Sequence, residues 1–225
     1  MSPQFRNDHR HINGLYIILD REIAEKKPLS DIVKSALDEG SRLFQYREKH
    51  LPKNEIYRVA TELRSLTAQR DATLIINDFS DIALAVDADG VHLGQDDVPL
   101  ADARHILGHD RLIGISTHSI EQAIEAENGG ADYIAFGPIY NTQTKDTGLA
   151  PLGPNATREL CPRISIPVFG IGGINLTLIA ELRSTGLSGV AILSAILHAP
   201  DVGAATRQFI LEWQSQGKET ASNQK

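Results

Sequence analysis

A single-domain α/β protein of the (β/α)8 TIM-barrel class is the fold this sequence predicts, and three observations carry the prediction. Short apolar runs alternate with longer stretches of helical period, eight times along the chain. Most of those runs are continuous and β-branched, the pattern of strands covered on both faces in a parallel sheet. Polar groups and glycines gather where the runs end, and the C-terminal ends of barrel strands are where such folds build their sites. A length of 225 residues suits one large domain, and a hydrophobic share of 41% supplies a sizeable core. The barrel is expected over 13–213, between polar, mobile ends at 1–12 and 214–225.

The elements follow in order. LYIILD (15–20) is the first strand, and Ile32, Ala36 and Leu37 line one face of a helix over 30–40. LFQYRE (43–48) and TLIIND (73–78) are the next two strands, and only a short helix, around 79–87, follows the second of these. GVHLG (90–94) and LIGIS (112–116) come next, then a helix over 119–130 with Ile120, Ala123, Ile124 and Ala126 on one face. YIAFG (133–137) is the sixth strand, and the helix before the seventh, IPVFGIGG (166–173), is only weakly periodic. Asn175 is a natural N-cap for a helix over 175–185 carrying Leu178, Ile179 and Leu182, and GVAILSA (189–195) closes the set. A doubly wound open sheet is the competitor. It would show a Gly-rich phosphate turn after the first strand, where this chain has DREIAEKKPLS without a glycine.

A formal net charge of −7 argues against a nucleic acid or an acidic membrane surface as partner. The single cysteine, Cys161, excludes a disulfide framework and a multi-cysteine metal site; between Leu160 and Pro162 it reads as a reduced, partly buried thiol at a helix end. No apolar run is long enough to span a membrane and the start lacks a signal-peptide core, so the expected compartment is the cytoplasm. A homo-oligomer is compatible with the composition.

The strand ends carry the chemistry. Gln45, Arg47 and Lys49 alternate onto one face of the second strand, with nothing on that face to neutralise the two cations. Unpartnered cations are costly to desolvate, so the expected occupant is a polyanion, a diphosphate rather than a single phosphate. The blander reading is a rim salt bridge from Arg47 to Glu48 or Glu22. Asp78 and Asp97 are hard oxygen ligands suited to Mg²⁺, which takes one or two carboxylates plus phosphate oxygens; Asp78 could instead cap the following helix, and GQDD could be an ordinary polar loop. GIGGI and SGVAILSAI, after the seventh strand and along the eighth, read as a monophosphate site built from bare backbone amides, with tight packing as the alternative. His92 reads as a hydrogen-bonded core histidine that could also face the barrel interior; His9, His11 and His118 offer no metal spacing.

Taken together, QYREK, IND, DGVHLGQDD, GISTH, GADYIAFGPIYNTQTK, GIGGI and GVAILSAI, in this order over about 13–211, resemble the thiamine-phosphate synthase family. The resemblance implies a barrel transferase that joins two substrates. These are the diphosphate of 4-amino-5-hydroxymethyl-2-methylpyrimidine and the phosphate of 4-methyl-5-hydroxyethylthiazole. The products are thiamine phosphate and pyrophosphate. It assigns Gln45, Arg47, Lys49, Asn77, Ser116 and Lys145 to the pyrimidine diphosphate, with Arg47, Lys49, Lys145 and Ser116 catalytic. It assigns Asp78 and Asp97 to Mg²⁺, and Thr142, Thr144, Gly173, Leu193 and Ser194 to the thiazole phosphate. The implied mechanism is dissociative: the diphosphate departs, and the thiazole nitrogen attacks a pyrimidine-methyl cation. One departure is Asn141, where the family often has a proline that would stiffen the loop. The rivals are a thiazole phosphate tautomerase, a phosphosugar isomerase, and a phosphate-ligand sensor without turnover.

Overall fold

The computed structural model describes residues 12–25, 27–142 and 148–215. Eight parallel strands close on themselves in chain order. They are β1 (Gly14–Asp20), β2 (Leu43–Arg47), β3 (Thr73–Asn77), β4 (Gly90–Leu93), β5 (Leu112–Thr117), β6 (Tyr133–Phe136), β7 (Val168–Ile171) and β8 (Gly189–Ile192). The outer layer contains α1 (Arg21–Ala24), α2 (Leu29–Asp38), α3 (Lys53–Ala68), α4 (Ser80–Ala85) and α5 (Leu100–Leu107). It continues with α6 (Ile120–Asn128), α7 (Gly153–Leu160), α8 (Ile179–Arg183), α9 (Ser194–Leu197) and α10 (Val202–Gln214). Among the described residues no helix is long and apolar enough to cross a membrane.

Two cores result from this closure. The larger lies between sheet and helices, where Ile17, Leu19, Phe44, Leu74 and Ile76 meet Ile32, Leu63 and Leu182. The smaller fills the barrel itself with Tyr16, Ile18, Leu43, Ile75, Leu112, Tyr133 and Phe169. Ile12, grouped by sequence with the polar N-terminal segment, is buried in this interior cluster. Of the ends expected to be mobile, 1–12 and 214–225, residues 1–11 and 216–225 lie outside the described residues, while Gln214 ends α10 and Ser215 is its C-cap.

Several boundaries move for identifiable reasons. β2 stops at Arg47, and beyond it the Glu48 side chain takes the backbone N–H groups of Lys49, His50 and Leu51. β7 begins after Pro167, which has no N–H to give a ladder. The helix expected over 175–185 starts as a tighter turn, Leu176–Leu178, capped by Asn175 Oδ1 accepting from Thr177 N at 3.0 Å, before α8 begins. Cys161 ends α7 half-buried, and burial pushes its thiol up to about 11, so it stays protonated and inert.

Candidate active site

A cavity of about 760 Å³ opens at the C-terminal ends of the strands, a volume suited to a small-molecule ligand. Of the residues read from sequence, Gln45, Arg47, Asn77, Ser116, Thr142, Gly173, Leu193 and Ser194 all line it. Lys49, Asp78 and Asp97 do not line it; they form a charged cluster beside it, with Asp78 next in sequence to Asn77. Thr144 and Lys145 lie outside the described residues.

The cations are not waiting alone, which corrects the reading that nothing neutralises them. Asp20 and Arg47 end neighbouring strands in register, and the Asp20 carboxylate pairs with the Arg47 guanidinium. The other Asp20 oxygen accepts from Glu22 N and Ile23 N at 3.0 and 3.3 Å, capping α1, so the pair is tied to the backbone. Neither Glu48 nor Glu22 is the partner of Arg47. Lys49, just beyond β2, pairs with Asp78. Any anion reaching these cations therefore exchanges places with a carboxylate, and unpaired charge alone does not argue for a diphosphate.

Glu48, read from sequence only as a possible rim partner of Arg47, has a different role. Its Oε1 accepts from the N–H groups of Lys49, His50 and Leu51 at 3.0, 2.9 and 3.3 Å, while Oε2 takes Arg21 Nε at 3.0 Å. Burial alone would push this carboxyl up; the backbone N–H groups and Arg21 outweigh it and hold the pKa below the usual range. The turn that carries Lys49 is thus wound around one buried carboxylate.

Asp78 does not cap α4. Its backbone sits in the left-handed region at φ 65°, its N–H donates to His92 O at 2.9 Å, and the N-cap position belongs to Phe79. Burial raises the Asp78 carboxyl above its usual range, the Lys49 ammonium lowers it, and contact with the Asp97 carboxyl raises it again. Asp97 is held by Gly94 N, which donates to it at 2.6 Å. Two carboxylates facing each other in a partly buried site suit a hard divalent cation. No group of three or more His, Cys, Asp and Glu side chains forms a metal cluster among the described residues.

A polar chain crosses the barrel interior. Gln45 Nε2 donates to the Tyr16 hydroxyl at 2.7 Å, Tyr16 and Tyr133 hydroxyls meet at 2.8 Å, and Tyr133 lies 3.1 Å from His92 Nδ1. His92 Nε2 then meets Ser116 Oγ at 2.9 Å. His92 is therefore both a satisfied interior histidine and a cavity-lining one. Sequence reading missed Tyr16 and Tyr133. Room for the Tyr133 ring comes from Gly114 on the adjacent strand, where a Cβ would sit 2.1 Å from Tyr133 Cζ. His118 also lines the cavity, and its Nδ1 lies 2.6 Å from Gly137 O, so that nitrogen carries the proton.

The cavity wall after β7 is glycine-rich for a packing reason. A Cβ on Gly173, at φ 66°, would lie 2.3 Å from Asn141 O, and one on Gly172 would lie 2.6 Å from Pro138 Cβ. The loop after β7 thus presses against the loop after β6, joined by Tyr140 N donating to Gly172 O at 3.0 Å. Tight packing explains these glycines, and it leaves Gly173, Leu193 and Ser194 on the cavity wall beside Thr142.

Residues 15–196 match the family described as thiamine monophosphate synthase. A thiamine-phosphate synthase of Methanospirillum hungatei JF-1 is 45% identical over 196 residues, spanning 87% of this chain and 95% of that relative. One from Chloroflexus aurantiacus is 42% identical over 195 residues, 87% of this chain and 90% of that one. Among solved structures, thiamine phosphate pyrophosphorylase from Pyrococcus furiosus superposes with a TM-score of 0.82 at 36% identity, covering 92% of this chain and 99% of its own.

Proposed function

This chain belongs to the thiamine monophosphate synthase family, and from that premise we propose how its barrel mouth performs the coupling. The reading is that it joins the pyrimidine methyl diphosphate to the thiazole phosphate, releasing pyrophosphate and giving thiamine phosphate. One observation carries it: a single cavity is lined both by the cation-bearing end of β2 and by the Gly173–Ser194 wall after β7 and β8, room for two anionic substrates meeting over the barrel.

The bond between the pyrimidine methylene carbon and the diphosphate oxygen breaks, its electron pair leaving with the diphosphate. The ring amino group stabilises the methylene cation, and the thiazole nitrogen closes the new C–N bond with its lone pair. No base is needed at that nitrogen, so the protein's work is orientation and charge stabilisation. Arg47 and Lys49 take up the departing diphosphate by exchanging Asp20 and Asp78 for phosphate oxygens, with Lys145 as a third cation. Gln45, Asn77 and Ser116 hold the pyrimidine diphosphate, while Thr142, Thr144, Gly173, Leu193 and Ser194 receive the thiazole phosphate. Asp78 and Asp97 would hold Mg²⁺, whose bound charge offsets that accumulating on the leaving group. The raised Asp78 carboxyl beside Asp97 supports that fit, since a cation there relieves the repulsion.

The test is to incubate purified protein with both substrates and Mg²⁺ and to quantify both products. Equal yields of pyrophosphate and thiamine phosphate, and neither when one substrate is omitted, are expected. Pyrophosphate without the thiazole phosphate would mean a hydrolase, and no product would reject turnover.

A further inference from the structure

We propose that Tyr133 is a positioning residue: it fixes His92 as the Nε2–H tautomer, and this makes the Ser116 hydroxyl a hydrogen-bond donor toward the cavity. Protons can be counted along the chain from Gln45 to Ser116. The amide nitrogen of Gln45 can only donate, so it occupies a lone pair of the Tyr16 oxygen. The Tyr16 proton then goes to its other neighbour, the Tyr133 oxygen. The Tyr133 proton in turn goes to His92 Nδ1, which must be bare to receive it. A neutral imidazole with bare Nδ1 carries its proton on Nε2 and donates it to Ser116 Oγ. The serine's own proton is then directed to the cavity that Ser116 lines.

The other orders fail on the same count. If Tyr133 donated to Tyr16, the Tyr16 proton would be stranded, because Tyr16 is fully buried with the Tyr133 and Phe169 rings edge-on to it. Reversing the whole chain would balance only with the Gln45 amide turned end for end, its oxygen on Tyr16, whereas the structure places its nitrogen there. Burial also raises both phenols well above their ordinary range, so each keeps its proton. The ring of Tyr133 is clamped by edge contacts to Tyr16 and Phe169 and seated over Gly114, so the direction of the chain is built into the barrel core. A donor at Ser116 favours ligands presenting an acceptor there, and its contribution grows as negative charge develops on a leaving group. That last consequence rests on the reaction proposed above; the tautomer does not.

The experiment is long-range ¹H–¹⁵N correlation of the histidine rings in ¹⁵N-labelled protein, wild type and Tyr133→Phe, with steady-state kinetics alongside. Wild-type His92 is expected to show an unprotonated Nδ1 and a protonated Nε2, and Tyr133→Phe should average the two nitrogens toward a tautomer mixture. The variant should lower kcat about 3- to 10-fold, the loss of one neutral hydrogen bond, without changing KM for the thiazole phosphate. On a Ser116→Ala background it should add nothing. A protonated Nδ1 in the wild type, an unchanged His92 pattern in the variant, or a full additional loss on the Ser116→Ala background would overturn the proposal. Ser116→Ala with wild-type kinetics would instead strike the assigned role of Ser116, leaving the ring spectra to decide the tautomer.

Discussion

Replacing Asp78 by Asn should make the metal-free protein more stable while removing its response to Mg²⁺. The side chain is largely buried, and its carboxyl is raised by burial and by Asp97, with Lys49 opposing. A raised folded-state pKa means that the charged form is a liability to the fold. That liability is absent below the unfolded pKa, grows as pH rises from there to the folded value, and stays in full above it. Asparagine keeps the shape, tolerates the left-handed φ of 65°, and gives the Asp97 carboxylate a donor in place of a like charge. A hydrogen bond to a charged group contributes about 1.5–3 kcal/mol, and loss of the half-exposed Lys49 pair costs about 1 kcal/mol or less. The net gain is about 1–2 kcal/mol, or a rise in Tm of about 2–8 °C for a domain of this size. Scanning calorimetry at neutral pH, with and without Mg²⁺ and pyrophosphate, measures both effects, and the advantage should vanish in acid as Asp78 protonates. An Asp78→Asn variant that melts below its parent would refute the reasoning; so would equal stabilisation of both proteins by Mg²⁺-pyrophosphate.

Three further outcomes come from the same geometry. Arg47→Ala should lower kcat about 100- to 1,000-fold, as loss of a preorganised charge-stabilising donor does, while calorimetric affinity for the thiazole phosphate stays unchanged; the reverse pattern would remove Arg47 from the leaving-group side. Glu48→Gln should loosen the Lys49 turn and lower kcat, yet add little on a Lys49→Ala background; full additivity would show that Glu48 acts elsewhere. Gly114→Ala should destabilise by about 1–3 kcal/mol, read from the urea midpoint, because its Cβ would meet Tyr133 Cζ at 2.1 Å; an unchanged midpoint would mean the ring is not seated there.

The barrel was legible because its strands are continuous apolar runs and its polar groups collect at their ends. The same continuity hid the interior. A strand buried on both faces carries no two-residue alternation, so nothing told whether Tyr16 and Tyr133, 117 positions apart, point into the barrel or out to the helices. The Asp20–Arg47 pair spans 27 positions and becomes visible only when strand ends are set side by side in register. Arg47 and Lys49 therefore looked unpaired in the sequence, although each has a carboxylate partner. The role of Glu48 was misread as a rim partner of Arg47 because it sits where the strand run was expected to continue, and its capping of the turn depends on the strand stopping one residue earlier. The Gly172 and Gly173 region was recognised from composition, but its packing against the loop after β6 needed the fold.

Isothermal titration with the thiazole phosphate, in the absence and presence of saturating Mg²⁺-pyrophosphate, asks most directly whether one mouth holds two separate anions. Independent sites predict a ternary complex, with one thiazole phosphate bound per chain and a similar Kd in both titrations. Competition, with pyrophosphate abolishing the thiazole phosphate isotherm, would mean a single anion site and contradict the reading.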